Sequence, residues 1–234
     1  DVALVKEWVG GVNADTAALT AAGTLGPETA TSTATGGDQV DLGNVPILTA
    51  LVGETVTLSE VLGVGNVGDY TTSFACTDAT NQPVVLNPTS ATLVIDAADK
   101  GTAITCTFTN TINTAAITLQ KAWVGGVAGD TSLLGVSGAL GNPTATSTAS
   151  GGDETDTTNR VLSTGRVGET VTFTETLGGT GLYNTSFVCS GATNSPTYTP
   201  GATTATLEID AADTDVICTF TNSVQVSGIT LQKS

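Results

Sequence analysis

LVKEWVGGV at residues 4–12 and LQKAWVGGV at residues 119–127 are one motif written twice, and they decide how the chain is organised. More matches follow in the same order. ATSTATGGD (30–38) returns as ATSTASGGD (145–153), and VGETVTLSEVLG (52–63) as VGETVTFTETLG (167–178). YTTSFAC (70–76) pairs with YNTSFVC (183–189), and ATLVIDAAD (91–99) with ATLEIDAAD (205–213). CTFTN closes both copies, at 106–110 and 218–222. Lys6 to Lys121 gives a period of 115 residues, and ITLQKS at the end of the chain repeats ITLQKA from 117–122. The reading is a tandem array. One domain spans 1–113 and a second 114–225. Residues 226–234 are the first strand of a truncated third repeat or a strand exchanged with another subunit. Each repeat is long enough to bury its own core.

Inside a repeat, short alternating runs are separated by turns such as GVGNVGD, TNQP, LGGTG and TNSP. No segment carries a helical period, and threonine, a strand former, makes up about one residue in five. The fold expected is all-β: two tandem Ig-like or prealbumin-like Greek-key β-sandwiches, each sheet with one dry and one wet face.

Counting faces at period two places three polar residues where apolar ones belong. Ile117, Leu119, Lys121 and Trp123 share one face of the first strand of the second copy, as Val2, Leu4, Lys6 and Trp8 do in the first. In a middle strand Val171, Phe173, Glu175 and Leu177 face inward, matched by Val56, Leu58, Glu60 and Leu62. Cys218, Phe220 and Asn222 share a face of the last strand, matched by Cys106, Phe108 and Asn110. The Lys-to-Glu spacing is 54 residues in both copies. Burying a lone ammonium or carboxylate costs several kcal/mol, so the three groups are expected to meet. Burial disfavours both charged forms, which makes the lysine a nucleophile and the glutamic acid a proton shuttle. A carboxamide held beside them is an electrophile whose leaving group is ammonia. The constellation is that of a self-formed Lys–Asn isopeptide bond; a buried ion pair capped by Asn, with no covalent step, is the alternative.

K-x-W on the first strand, the E of TLSEV or TFTET in the middle, and a terminal TFTN resemble the Cna B-type repeats of Gram-positive surface adhesins and pili, also called SpaA-like or prealbumin-type. In that family a first-strand Lys is joined to a last-strand Asn, with a middle-strand acid as catalyst. By position the resemblance puts the bond on Lys6 and Asn110 with Glu60 as proton relay, and on Lys121 and Asn222 with Glu175. The chain departs from the family in lacking a proline-bearing segment after the Glu and in carrying paired cysteines. Neither an LPxTG signal nor a pilin-type lysine motif is present, so sortase polymerisation is not implied.

Cys76 and Cys106 lie 30 residues apart and Cys189 and Cys218 lie 29 apart, at equivalent places in the repeats. One intradomain disulfide each is the expectation, with buried free thiols as the alternative. Closing such a loop contributes on the order of 3 kcal/mol and implies an oxidising, extracytoplasmic setting. The aspartates of IDAADKGT (95–102) and IDAADTD (209–215) read as solvated turns rather than a calcium site, because no EF-hand pattern accompanies them.

Six Lys and Arg against 22 Asp and Glu give a net charge of -16, which speaks against a grip on nucleic acid or anionic lipid. Without histidine there is no Ser-His-Asp triad and no His-based zinc site. No apolar run has the length of a membrane span and the N-terminus has no signal-peptide pattern, so the chain reads as part of something longer. No cofactor, metal or enzymatic turnover is expected. The function expected is a tension-bearing stalk or fibre segment on a bacterial surface, its partners being neighbouring repeats. Alternatives are an adhesin repeat that binds an unknown ligand through loops such as 46–53 and 161–168, or a fibre subunit that donates its C-terminal strand.

Overall fold

The computed structural model describes residues 1–138 and 140–226. The chain divides between Asn113 and Thr114 into two compact units. The proposed third-repeat or exchanged strand lies, from residue 227 on, outside the described residues.

The first unit holds strands β1 (Val2–Gly11), β2 (Thr16–Gly23), β3 (Gly26–Thr33), β4 (Gly37–Asp41), β5 (Ile47–Leu48), β6 (Thr55–Leu62), β7 (Tyr70–Thr77), β8 (Val84–Asn87), β9 (Ser90–Val94) and β10 (Ile104–Ile112). They form two sheets, ordered β4-β1-β10-β7 with β5 also on β1, and β3-β2-β6-β9-β8. The second unit repeats the plan with β11 (Thr114–Gly126), β12 (Thr131–Ser137), β13 (Thr144–Thr148), β14 (Gly152–Arg166), β15 (Thr170–Gly178), β16 (Tyr183–Ser190), β17 (Thr197–Tyr198), β18 (Thr204–Glu208) and β19 (Asp215–Val224). Its sheets run β14-β11-β19-β16 and β13-β12-β15-β18-β17. Both units are prealbumin-like β-sandwiches, and the fold class read from the sequence is the one observed. Among the described residues the one helical element is a 3₁₀ turn at Ala97–Asp99, and no helix is long and apolar enough to cross a membrane.

Most pairings are antiparallel, as short turns dictate. The exception joins the ends of each repeat: β1 runs parallel to β10, and β11 parallel to β19. A parallel pair needs a long crossover, and here the whole remaining domain supplies it. The residues of β1 and β11 that period two assigns to the core are buried, and Val56, Leu58, Val171 and Phe173 pack against them from the opposite sheet. Thr174 and Thr176 line the outer face, in keeping with the alternation. The first glycine of each WVGG motif has positive φ, and a Cβ on Gly10 would come within 2.5 Å of Ile112 Cγ2. The motif repeats because glycine alone lets β1 bend there beside the end of β10.

Cys76 and Cys106 are bonded, as are Cys189 and Cys218. Each pair sits directly opposite in register, tying the last strand to its antiparallel neighbour in the same sheet.

Two expectations need correction. Residues 161–168 are not a loop, since 161–166 complete β14 along Thr114–Leu119. In the first unit Pro46 takes the place of Val161; it has no N–H for the ladder, and the strand splits into β4 and β5. The aspartate turns are also not fully solvated. Asp99 is buried, accepting from the Thr80 N–H and hydroxyl and the Asp96 N–H, and the Thr80 hydroxyl chiefly holds its carboxyl below the usual range. Asp213 does the same for Thr193 and Asp210. One carboxylate per turn curls under to satisfy backbone donors that water does not reach.

Candidate functional site

The inward faces of β1 and β10 bring lysine and asparagine onto adjacent strands. Lys6 is in register with Phe108, and Trp8 with Asn110, so Lys6 and Asn110 lie two residues out of step on one face. Glu60 reaches them across the sandwich from β6, where it stands opposite Leu19. Its Oε2 is 3.4 Å from Lys6 Nζ, and its Oε1 accepts from Asn110 Nδ2 at 2.5 Å. The second unit repeats the meeting: Lys121 Nζ and Asn222 Nδ2 each lie 3.2 Å from Glu175 Oε1. All six side chains are buried, and Lys6, Asn110, Lys121 and Asn222 have no accessible surface.

Each lysine is held rather than tethered loosely. Lys6 Nζ donates to the Glu7 and Phe108 carbonyls at 2.9 and 3.1 Å, and lies 4.5 Å over the Trp8 ring. Lys121 Nζ donates to the Ala122 and Phe220 carbonyls and lies 4.4 Å over Trp123. Burial lowers both ammonium pKa values from 10.5 to about 8, against the opposing pull of Glu60 and Glu175. The carboxamide oxygens of Asn110 and Asn222 and the second glutamate oxygens have no hydrogen-bond partner. A buried polar atom left so costs about 1–3 kcal/mol, so the unlinked trio is poorly satisfied.

The surrounding wall contains residues that period counting did not single out. Trp8 Nε1 donates to the buried Ser32 hydroxyl, which in turn bonds Asp41; Trp123 repeats this with Ser147 and Asp156. Asp15 accepts from the Val67 and Gly68 N–H groups and the Tyr70 hydroxyl, and Tyr70 meets Trp8 edge-on. Asp130 and Tyr183 do likewise, and the Thr180 N–H chiefly holds the Asp130 carboxyl below its usual value. These groups lock the indole that roofs the lysine. Their signal was present in the repeats as serines at inward positions and as D…Y pairs 55 and 53 residues apart. Ser132 is another such residue: its hydroxyl donates to Glu175 Oε1 at 2.8 Å, whereas the first unit has Ala17 there.

Lys100 is exposed and stands apart from both sites. Among the described residues no group of three or more His, Cys, Asp or Glu could hold a metal ion.

A two-sheet domain whose first and last strands lie parallel, with a buried Lys–Glu–Asn cluster between its sheets, defines a class of sandwich modules built around a buried polar cluster. The chain belongs to the prealbumin-like fold domain family, whose profile matches residues 2–112 and 117–224. No curated protein matches it. Among solved structures it is similar to the major pilin T-13 of Streptococcus pyogenes, at 12% identity and a TM-score of 0.46 over 96% of this chain and 97% of that one. It is also similar to an adhesin of Mobiluncus mulieris containing intramolecular disulfide, isopeptide and ester cross-links. There the identity is 14% and the TM-score 0.39, over 92% of this chain and 87% of that one.

Proposed function

We propose that each unit joins its lysine to its asparagine, and that the chain is a tension-bearing stalk or fibre segment of an extracellular bacterial surface protein. One observation carries this reading. In each unit a single buried carboxylate touches both the lysine amine and the asparagine amide. The amine passes a proton to the carboxylate, and the freed Nζ lone pair attacks the Asn Cγ. The Nζ–Cγ bond forms, the Cγ–Nδ2 bond breaks, and Nδ2 leaves as ammonia with a proton taken from Nζ. The proton held on the glutamic acid then leaves with the ammonia, restoring the carboxylate. This is a single turnover on the chain itself, not catalysis of an external substrate.

The mechanical role rests on topology. A Lys6–Asn110 bond would connect the first strand to its parallel neighbour, the last, so pulling force would bypass the residues between them. Disulfides in both units support an oxidising, extracellular setting. Neighbouring repeats and subunits of the same fibre are the partners this reading implies.

Intact mass of the folded chain tests it. The expected mass is the sequence mass less two ammonias, beyond the hydrogens lost to disulfides. A folded chain at full sequence mass leaves only the buried ion pair.

A further inference from the structure

The two clusters share out the glutamate oxygens differently. Lys121, Asn222 and Ser132 all meet at one oxygen, Glu175 Oε1, at 3.2, 3.2 and 2.8 Å. In the first unit the donors are divided: Asn110 takes Oε1 and Lys6 takes Oε2. One buried position beside the cluster differs between the units. Leu19 stands opposite Glu60 and Leu134 opposite Glu175, and two residues earlier the chain has Ala17 in one unit and Ser132 in the other. Both positions are fully buried.

We infer that Ser132 is a positioning residue that slows cross-linking in the second unit by occupying the glutamate oxygen that pairs with the lysine amine. This rests on the reading under Proposed function. A carboxylate oxygen offers two lone pairs, and at Glu175 Oε1 three donors compete for them. The serine makes the shortest of the three contacts, and Asn222 sits at 3.2 Å where Asn110 sits at 2.5 Å. To settle on Oε1, the oxygen its amine pairs with, the proton leaving Lys121 has to displace the serine hydrogen. Lys6 meets an oxygen that accepts from no other donor. The two bonds of one chain are thus set to form at different rates.

The test uses the full chain, isolated unreacted in denaturant and refolded by dilution. Samples are quenched over time, and peptide mapping follows the Lys6–Asn110 and Lys121–Asn222 bonds separately. The first bond is expected to form about tenfold faster, the size of one hydrogen bond to a charged group. Ser132→Ala should bring the second bond up to the rate of the first. Ser132→Thr, which keeps the hydroxyl, should leave it slow. Ala17→Ser should slow the first bond by a similar factor, and it tests the idea even if the variants at 132 fold poorly. A serine that merely supported packing would give the opposite sign, since removing it would slow the reaction. Equal rates for both bonds, or a slower second bond in Ser132→Ala, overturn this inference and leave the cross-linking reading intact. Absence of both bonds in folded chain overturns both.

Discussion

Lys6 and Lys121 place the amine–carboxyl pair under the control of a single proton. In the resting cluster that proton sits on the amine; in the reaction proposed above it would pass to Glu60 or Glu175, so the total would not change. Burial brings the ammonium pKa to about 8, and the pair loses its shared proton as pH climbs through that value. Bond formation is therefore expected to be level from about pH 6 to 8 and to fall above it, by roughly tenfold per pH unit. A rate that instead rose through pH 8 and levelled off would mean that free amine alone limits the reaction, with no proton relay. Timed mass spectra of refolding chain across that range decide between them. Glu60→Gln keeps the shape but cannot carry the proton. It is expected to abolish the Lys6–Asn110 bond and leave Lys121–Asn222 untouched, so the folded variant should fall short of its own sequence mass by one ammonia where the parent falls short by two.

At the scale of elements, the last strand of each unit is the most heavily tied. β10 lies between β1 and β7, bonded by disulfide to β7 through Cys76 and Cys106. Replacing both cysteines by alanine should leave the sheet in place and lower unfolding free energy by about 3 kcal/mol, measured by denaturant titration of an uncross-linked Lys6→Ala background. The background matters, because an isopeptide bond would already shrink the unfolded ensemble and mask part of the loss. The end of β1 is a second sensitive point. Gly10 has φ +70° and no room for a Cβ against Ile112. Gly10→Ala should cost more than about 1 kcal/mol in the same titration, and Gly26→Ala, with φ +113° but open space around it, should cost less.

For the molecule as a whole, the proposed cross-links would decide what stays folded under load. Pulled from its ends in a force spectrometer, the parent chain is expected to lengthen only by the short segments outside the Lys–Asn pairs, with the residues between them contributing nothing. A chain carrying Asn110→Ala and Asn222→Ala should release both units except for the residues that Cys76–Cys106 and Cys189–Cys218 enclose. The same extension by the parent would show that the terminal strands are not covalently joined. Across this same scale the surface carries a net charge of -16, with threonine on the outer faces of the sheets.

Much of this was legible in the amino-acid order alone. A repeated motif set the number of domains, alternation set strand and face, and three polar residues recurring on dry stripes named Lys6, Glu60 and Asn110 and their counterparts. The equivalent cysteines likewise named their own partners. Period two, however, says which face a residue takes and nothing about which strand lies beside it or across from it. That β1 neighbours β10 in parallel, and that Glu60 reaches both from the opposing sheet, comes from long-range pairing that no local pattern encodes. The same limit hid Asp99, whose turn looks solvated until a neighbouring loop lends it backbone donors, and the role of Ser132, whose hydroxyl has meaning only opposite Glu175. Residue chemistry is local and was determined by the sequence; the company each group keeps is set by packing, and only the tertiary structure decided it.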